Sequence, residues 1–295
     1  MNILVIKLGA VGDVVLAFQP FADIRAHHPH DRITLLTTAP FGPLLAASPW
    51  FDEVRIDARP GWWDIGGLIR LRRALRGFDL VYDLQTSSRT SRYFDMAGRP
   101  AWSGIARGAS LPHANPRRDR MHTVDRQRDQ LDMAGAPAGP PADLAWLVQD
   151  APAVPTPFAL LAPGAAPHRP AKRWPAEHFG RLAQVLQGRG LTPVIAGTAA
   201  EAPLARVIAG ICPAAIDLTG RTSLPQLAGL AARATLAVGN DTGPMHLAAA
   251  VGCRCIVLFS AESDPALTAP RGLVTVLREP DLANLTVDRV AASLP

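Results

Sequence analysis

The stretch "VGNDTGPMHLAAAVGCRCIVLF", Val238 to Phe259, reads as a strand, a turn, a helix and a second strand. An apolar run from Thr235 to Val238 leads in. A polar cluster, Asn240 to His246, makes the turn, and an Ala-rich helical run connects it to Cys255–Phe259. Two buried strands joined through a helix form a βαβ unit, which commits the pair to a parallel sheet. The turn sets Asp241, Thr242, Gly243 and His246 together, so its purpose has to be read from the rest of the chain.

The same alternation runs outward in both directions. "NILVIK" (2–7), "RITLLTT" (32–38), "EVRID" (53–57), "FDLVYDLQ" (78–85) and "AWSGI" (101–105) read as strands. Helices are expected over 12–28 and 63–77, the latter stopped by Gly77. "DAPAVPTP" (150–157) carries three prolines in eight residues and reads as a linker. After it "FALLAPG" (158–164) restarts the pattern. Pro175 opens a helix to about Gln187, further strand–helix pairs follow, and "VTVLR" and a short helix end the chain. The series predicts an α/β protein of two Rossmann-like domains, 1–150 and 158–295, with parallel sheets facing across a cleft. The last helix is expected to pack back on the first domain. Ligands belong at the carboxyl ends of the strands.

Composition narrows the class. The 295 residues are 48% hydrophobic, enough for a sizeable core. No uncharged apolar run approaches the ~18 residues of a membrane span, and the N-terminus lacks a cleavage-site pattern, so a cytoplasmic location is expected. Cys212, Cys253 and Cys255 make neither a disulfide framework nor a zinc site. "HHPH" (27–30) lacks metal-ligand partners and reads as a helix end and loop. A net charge of +5 favours an anionic partner. The arginines at 70, 72, 73, 76, 107, 117, 118, 120, 126 and 128 read as a solvated face or as a basic acceptor- or membrane-facing surface. They lack the aromatic interleaving of a nucleic-acid platform.

Three motifs carry the chemistry. "KLGAVGDV" (7–14) places a Gly turn after the first strand, but G-x-G-x-x-G is absent and no acid ends the second strand. That argues against a nicotinamide-dependent oxidoreductase. Its notable residue is Asp13, a carboxylate in the first turn of a helix, suited to the helix dipole or to work as a general base. "APGAAPHRPAKRWP" (162–175) joins small residues to His168, Arg169, Lys172 and Arg173, cations that suit phosphate, or forms a solvated basic loop. In the opening stretch Asp241 and Thr242 can cap the helix. Gly243 and Pro244 leave bare backbone at its N-terminus, a ready anion site, with His246 in the first turn.

Together the three motifs resemble the heptosyltransferase family of lipopolysaccharide core synthesis, glycosyltransferase family 9. "ILVIKLGAVGDVV" is similar to its K-L-x-x-x-G-D signature, "APGAAPHRPAKRWPAEHFGRLA" to its P-G…K-R-W-P-x-E-H segment, and "VGNDTGPMHLAAAVG" to its D-T-G-x-x-H-L-A-A-A motif. Ala162 stands where the family often has His, and "FSAESDP" replaces F-G-P-T-D-P with one extra residue. The resemblance implies a GT-B fold and inverting transfer of heptose from ADP-heptose to an anionic lipopolysaccharide or lipid A-core acceptor, with no cofactor or metal required. It implies Asp13 as general base, and Lys172, Glu201, Asp241, Thr242, Gly243 and His246 on the donor. Arg107, Arg118 and Arg120 fall to the acceptor, and the enzyme works peripherally on the inner-membrane surface, without nucleic acid. The presence of both Asp13 and Lys172 argues against a scaffold that kept the fold and lost catalysis.

Overall fold

The computed structural model describes residues 1–166 and 168–295. Val-, Ile- and Leu-rich runs bounded by Gly, Pro and Asp form the strands. In the first half these are β1 (Asn2–Ile6), β2 (Arg32–Thr37), β3 (Glu53–Ile56), β4 (Leu80–Asp83), β5 (Ala101–Gly104) and β6 (Leu111–Pro112). In the second half they are β7 (Phe158–Ala162), β8 (Thr192–Ile195), β9 (Ile216–Asp217), β10 (Leu236–Asn240), β11 (Cys255–Phe259) and β12 (Val274–Arg278). Each half makes a six-stranded sheet, ordered β3-β2-β1-β4-β5-β6 and β9-β8-β7-β10-β11-β12. All pairings are parallel. Every residue of β4, β7, β10 and β11 is buried. Their unbroken apolar runs therefore suit strands with both sheet faces covered.

Both sheets follow the same winding, with the order reversing beside the first strand of each half. The switch points lie between β1 and β4 and between β7 and β10. At such a point the two connections leave in opposite directions and open a crevice at the carboxyl ends of the strands. The two motifs built on β1 and β10, and the one that follows β7, all emerge there.

The chain divides into two compact units, Met1–Trp146 and Leu147–Pro295. The change falls within one 3-10 turn, Ala145–Leu147. Trp146 packs against Phe18 and Trp50 at centroid distances of 5.9 and 5.3 Å. The Pro-rich stretch comes after this boundary and lies along the second unit: the Gln149 amide donates to Pro225 O (3.4 Å) and Arg233 Nη2 to Pro152 O (3.5 Å). The last helix, Val287–Ala291, packs on helix Ala176–Gly188, and Leu285 and Val290 join the second unit's own core.

The single helix expected over 12–28 is two, Val11–Val15 and Phe18–His27. Pro20 explains the restart, since a proline in a first turn forfeits no helical hydrogen bond. Pro175 stands just before its helix rather than at the first helical position. His28 is buried, with Nδ1 2.9 Å from Asp31 Oδ2 and Nε2 2.9 Å from Tyr82 OH, so "HHPH" is structural. Cys253 and Cys255 are buried small residues at the entry to β11. Helices Ser88–Ala97 and Thr123–Met133 had no counterpart in the apolar pattern.

Candidate active site

In the second unit the β7/β10 crevice is tied together by Asn240, which is fully buried. Its Nδ2 donates to Pro163 O (2.8 Å) and Gly164 O (3.2 Å), and its Oδ1 accepts from the Trp174 amide (3.0 Å). One side chain at the end of β10 thus fixes both ends of the 163–174 loop. This brings Lys172 to Asp241: Nζ donates to Oδ2 at 2.5 Å, across 69 residues of sequence. Ser263 Oγ donates to the same oxygen at 2.7 Å, and His246 Nε2 stands 3.7 Å from Oδ1. Burial by itself would raise the Asp241 carboxyl, but His246, Lys172 and Ser263 outweigh it and hold the group down at about 2.

Asp241 therefore does not cap helix Gly243–Ala250. Thr242 occupies the N-cap position without a side-chain capping bond, its Oγ1 donating instead to Asn240 O (3.2 Å). The Thr242 and Gly243 amides donate to no described residue. They lie at the positive end of the helix dipole, which is the arrangement that binds anions. His246 is 6% exposed and its Nδ1 has no partner among the described residues.

Glu201 reaches the same loop from the end of β8. Its Oε2 accepts from the Thr198 amide (2.7 Å) and Thr198 Oγ1 (2.5 Å), which fixes the carboxylate beside Gly164. A Cβ on Gly164 would lie 2.8 Å from Glu201 Cγ, so the glycine is what admits this side chain. Glu201 Oε1 makes no hydrogen bond to a described residue and can accept from a ligand hydroxyl.

In the first unit the β1/β4 crevice is closed at its floor by Lys7 Nζ donating to Leu84 O (3.2 Å) and the Leu8 amide donating to Gln85 Oε1 (2.9 Å). Gly9 turns the chain with a φ of 122°, a backbone region that side chains disfavour. Asp13 sits in the next turn, where Oδ2 accepts from the Ala10 amide at 3.1 Å and Oδ1 makes no hydrogen bond to a described residue. Burial lowers the pKa of Lys7; Asp13 raises it, Arg126 lowers it and Asp83 raises it. The Arg126 guanidinium is likewise lowered by burial and then by Arg118, against Asp119 and Asp13. The Asp13 carboxylate thus acts electrostatically on both Lys7 and Arg126. Asp83, fully buried at the end of β4, is pushed up to about 6 by burial, against the Thr86 and Gln85 amides and Lys7.

Arg107, Arg118 and Arg120, which the sequence assigned to the acceptor, follow β5 and β6 on the same carboxyl edge. Arg118 is engaged, with Nη1 2.8 Å from Asp119 Oδ1 and Nε donating to His113 Nδ1 at 3.4 Å. Arg107 and Arg120 are exposed, and their side chains are unpaired with described residues. Sequence reasoning singled out neither Lys7, Asn240 nor Ser263 as a site residue, and it named Arg126 only within the arginine set read as a solvated face or a basic acceptor- or membrane-facing surface. Ser263 lies in "FSAESDP", the segment that departs from the motif pattern, so that departure supplies a hydrogen bond to Asp241.

Comparison with known proteins identifies the family. The model of glycosyltransferase family 9 (heptosyltransferase) matches residues 68–277. The chain belongs to glycosyltransferase family 9. Among its relatives, lipooligosaccharide heptosyltransferase 2 of Haemophilus influenzae is 28% identical over 300 residues, covering 92% of this chain and 86% of that protein. Lipopolysaccharide heptosyltransferase 2 of Escherichia coli is also 28% identical, over 92% of this chain and 85% of its own. The solved E. coli ADP-heptose lipopolysaccharide heptosyltransferase II is 25% identical, with a TM-score of 0.77 over 99% of this chain and 97% of that one. The E. coli heptosyltransferase WaaC solved with ADP shares the fold at a TM-score of 0.81 and 23% identity, over 99% and 98% of the two chains. This family 9 chain is a glycosyltransferase of the GT-B class, built on two Rossmann-like units.

Proposed function

We propose that the protein transfers heptose from ADP-heptose to an inner-core lipopolysaccharide acceptor, with inversion and with Asp13 as general base. The observation that carries the donor half is the β7/β10 crevice, where two unpartnered helix amides, a lysine and a carboxylate converge. The diphosphate lies on the Thr242 and Gly243 amides. A phosphate then competes with Asp241 for Lys172; at about 4 Å and an effective dielectric near 20, that attraction is worth roughly 4 kcal/mol. As the sugar–phosphate bond breaks, negative charge grows on the leaving ADP, and fixed dipoles already aimed there stabilise it. Asp241, ionised and bound by Ser263 and His246, positions the lysine rather than the phosphate, since like charges repel. Glu201 accepts from ribose or sugar hydroxyls through Oε1.

The acceptor half rests on Asp13. Its Oδ1 takes the proton from the acceptor hydroxyl as that oxygen attacks the anomeric carbon opposite ADP, a contribution of roughly 10²–10⁴-fold. Lys7 and Arg126 compensate the carboxylate in the resting state, and Arg107, Arg118 and Arg120 grip acceptor anions. The reading places the enzyme at the cytoplasmic face of the membrane that carries its acceptor. Among the described residues no helix is long and apolar enough to cross a membrane.

The test is mass spectrometry of heptose-deficient lipopolysaccharide after incubation with ADP-heptose. Wild type adds one heptose, while Asp13→Asn loses at least about a hundredfold in rate and keeps its affinity for ADP by calorimetry. Transfer by Asp13→Asn at the wild-type rate rules out the base, and no transfer by wild type rules out the reaction.

A further inference from the structure

The segment after β3 leaves the carboxyl edge of the first unit's sheet, the edge that carries Asp13, and exposes an unusual surface. Trp62 is 82% exposed and Trp63 73%, with their rings 5.8 Å apart and edge-on. Helix Ile65–Ala74 follows, with Ile65 71% and Ile69 47% exposed. Its inner face is buried at Gly67 and Leu71. The fourfold spacing sets Ile65, Ile69 and Arg73 in one outward stripe, flanked by Arg70, Arg72 and Arg76. The outer surface is thus apolar at its start and cationic at its end. None of these four arginines pairs with an acid among the described residues. Of the acids that flank them in sequence, Asp64 is engaged as the helix cap, with Oδ1 accepting from the Gly67 amide at 2.8 Å, and Asp79 Oδ2 accepts from the Asn2 amide at 2.8 Å.

Scattered apolar residues are normal on a soluble surface, but a cluster that includes two tryptophans marks a contact site. We propose that Trp62, Trp63, Ile65 and Ile69 enter the headgroup layer of an anionic bilayer while Arg70, Arg72, Arg73 and Arg76 bind its anionic lipid headgroups. Indoles prefer the membrane interface, and a cationic, half-apolar helix lies in its plane. A second copy of the chain fits this face poorly, because a self-complementary contact would set arginine against arginine. Ile65 and Ile69, exposed beside the tryptophans, gain nothing from a polyanionic nucleic acid but bury favourably in a lipid interface. The purpose of the docking rests on the reading that the acceptor is membrane-borne: the surface would hold the Asp13 edge of the sheet at the lipid.

The test uses the whole chain in flotation with vesicles of phosphatidylcholine alone or containing phosphatidylglycerol. Wild type is expected to float with the anionic vesicles, at least about tenfold more weakly without phosphatidylglycerol or at high salt, and with blue-shifted tryptophan emission. Trp62→Ser with Trp63→Ser is expected to lose the blue shift and at least about tenfold in partitioning. Replacing the four arginines by Gln is expected to remove the preference for phosphatidylglycerol, each being worth roughly fivefold near an anionic surface. Equal partitioning of wild type onto both vesicle types, or wild-type binding by the tryptophan variant, overturns the proposal. So does a dimer that the tryptophan variant abolishes, without vesicle binding. Transfer to a detergent-solubilised acceptor is measured on the same samples. Lost docking with intact transfer counts only against this surface; intact docking without transfer counts only against the proposed reaction.

Discussion

Replacing Asp241 by Asn tests whether the ion pair organises the donor crevice. The carboxyl sits at about 2 when folded, against an ordinary 3.8. At about 1.4 kcal/mol per unit, that difference is worth roughly 2.4 kcal/mol at pH 7. A depressed carboxylate stabilises the fold above its unfolded value, and the contribution is lost as pH falls through the folded one. It should therefore shrink to about 1.3 kcal/mol at pH 3 and about 0.4 at pH 2. Asp241→Asn also leaves Lys172, with its side chain 13% exposed, without its counter-charge. Urea denaturation of wild type and variant, compared at each pH, cancels the carboxylates common to both. The expected gap is about 2–3 kcal/mol at pH 7, closing by roughly half at pH 3. Adding Lys172→Met to Asp241→Asn should cost less than the sum of the single changes, because the stranded charge is gone. A variant as stable as wild type at pH 7, or a gap that does not change with pH, refutes the reasoning.

Asp83 works in the opposite sense: its folded value of about 6 lies above the unfolded one, so its ionisation destabilises the fold as pH rises from about 4 past 6. Asp83→Asn, which keeps an oxygen for the Gln85 and Thr86 amides, should raise stability at pH 8 by about 1–3 kcal/mol, with no gain at pH 4; equal effects at both pH values would contradict this. Lys172→Met should weaken ADP binding by at least about tenfold in calorimetry, and unchanged affinity removes the lysine from the phosphate site. Gly164→Ala places a methyl 2.8 Å from Glu201 Cγ, so it should cost about 1–3 kcal/mol in stability and lower ADP affinity; wild-type affinity would take Glu201 out of the donor site.

Much of the architecture is visible in the alternation of apolar runs, because strands buried on both faces leave an unmistakable signal. Helices Ser88–Ala97 and Thr123–Met133 are not visible that way, since "SRTSRYFDMA" and "TVDRQRDQLDM" carry few apolar residues and are anchored by caps and tertiary contacts. Prolines mark where regular structure stops, whereas the compact units divide where the half-buried Trp146 packs on Phe18 and Trp50 and Leu147 is buried. At the site, the three motifs stand at the carboxyl ends of β1, β7 and β10, where the alternation puts them. The partnership of Lys172 with Asp241 was not legible, because a short polar side chain before a helix reads locally as a cap. Asn240 escaped notice for the same reason: an asparagine in a turn is ordinary until its three bonds to the 163–174 loop are seen. Ser263 was hidden by a segment that resembled a departure from the pattern.

The most direct measurement is a crystal structure of the protein with ADP. The diphosphate is expected within hydrogen-bonding distance of the Thr242 and Gly243 amides, with Lys172 Nζ drawn from Asp241 toward phosphate. ADP bound at the β1/β4 edge of the first unit, or bound in the second with Lys172 still on Asp241 and both amides untouched, would contradict the assignment of the β7/β10 crevice as the donor site.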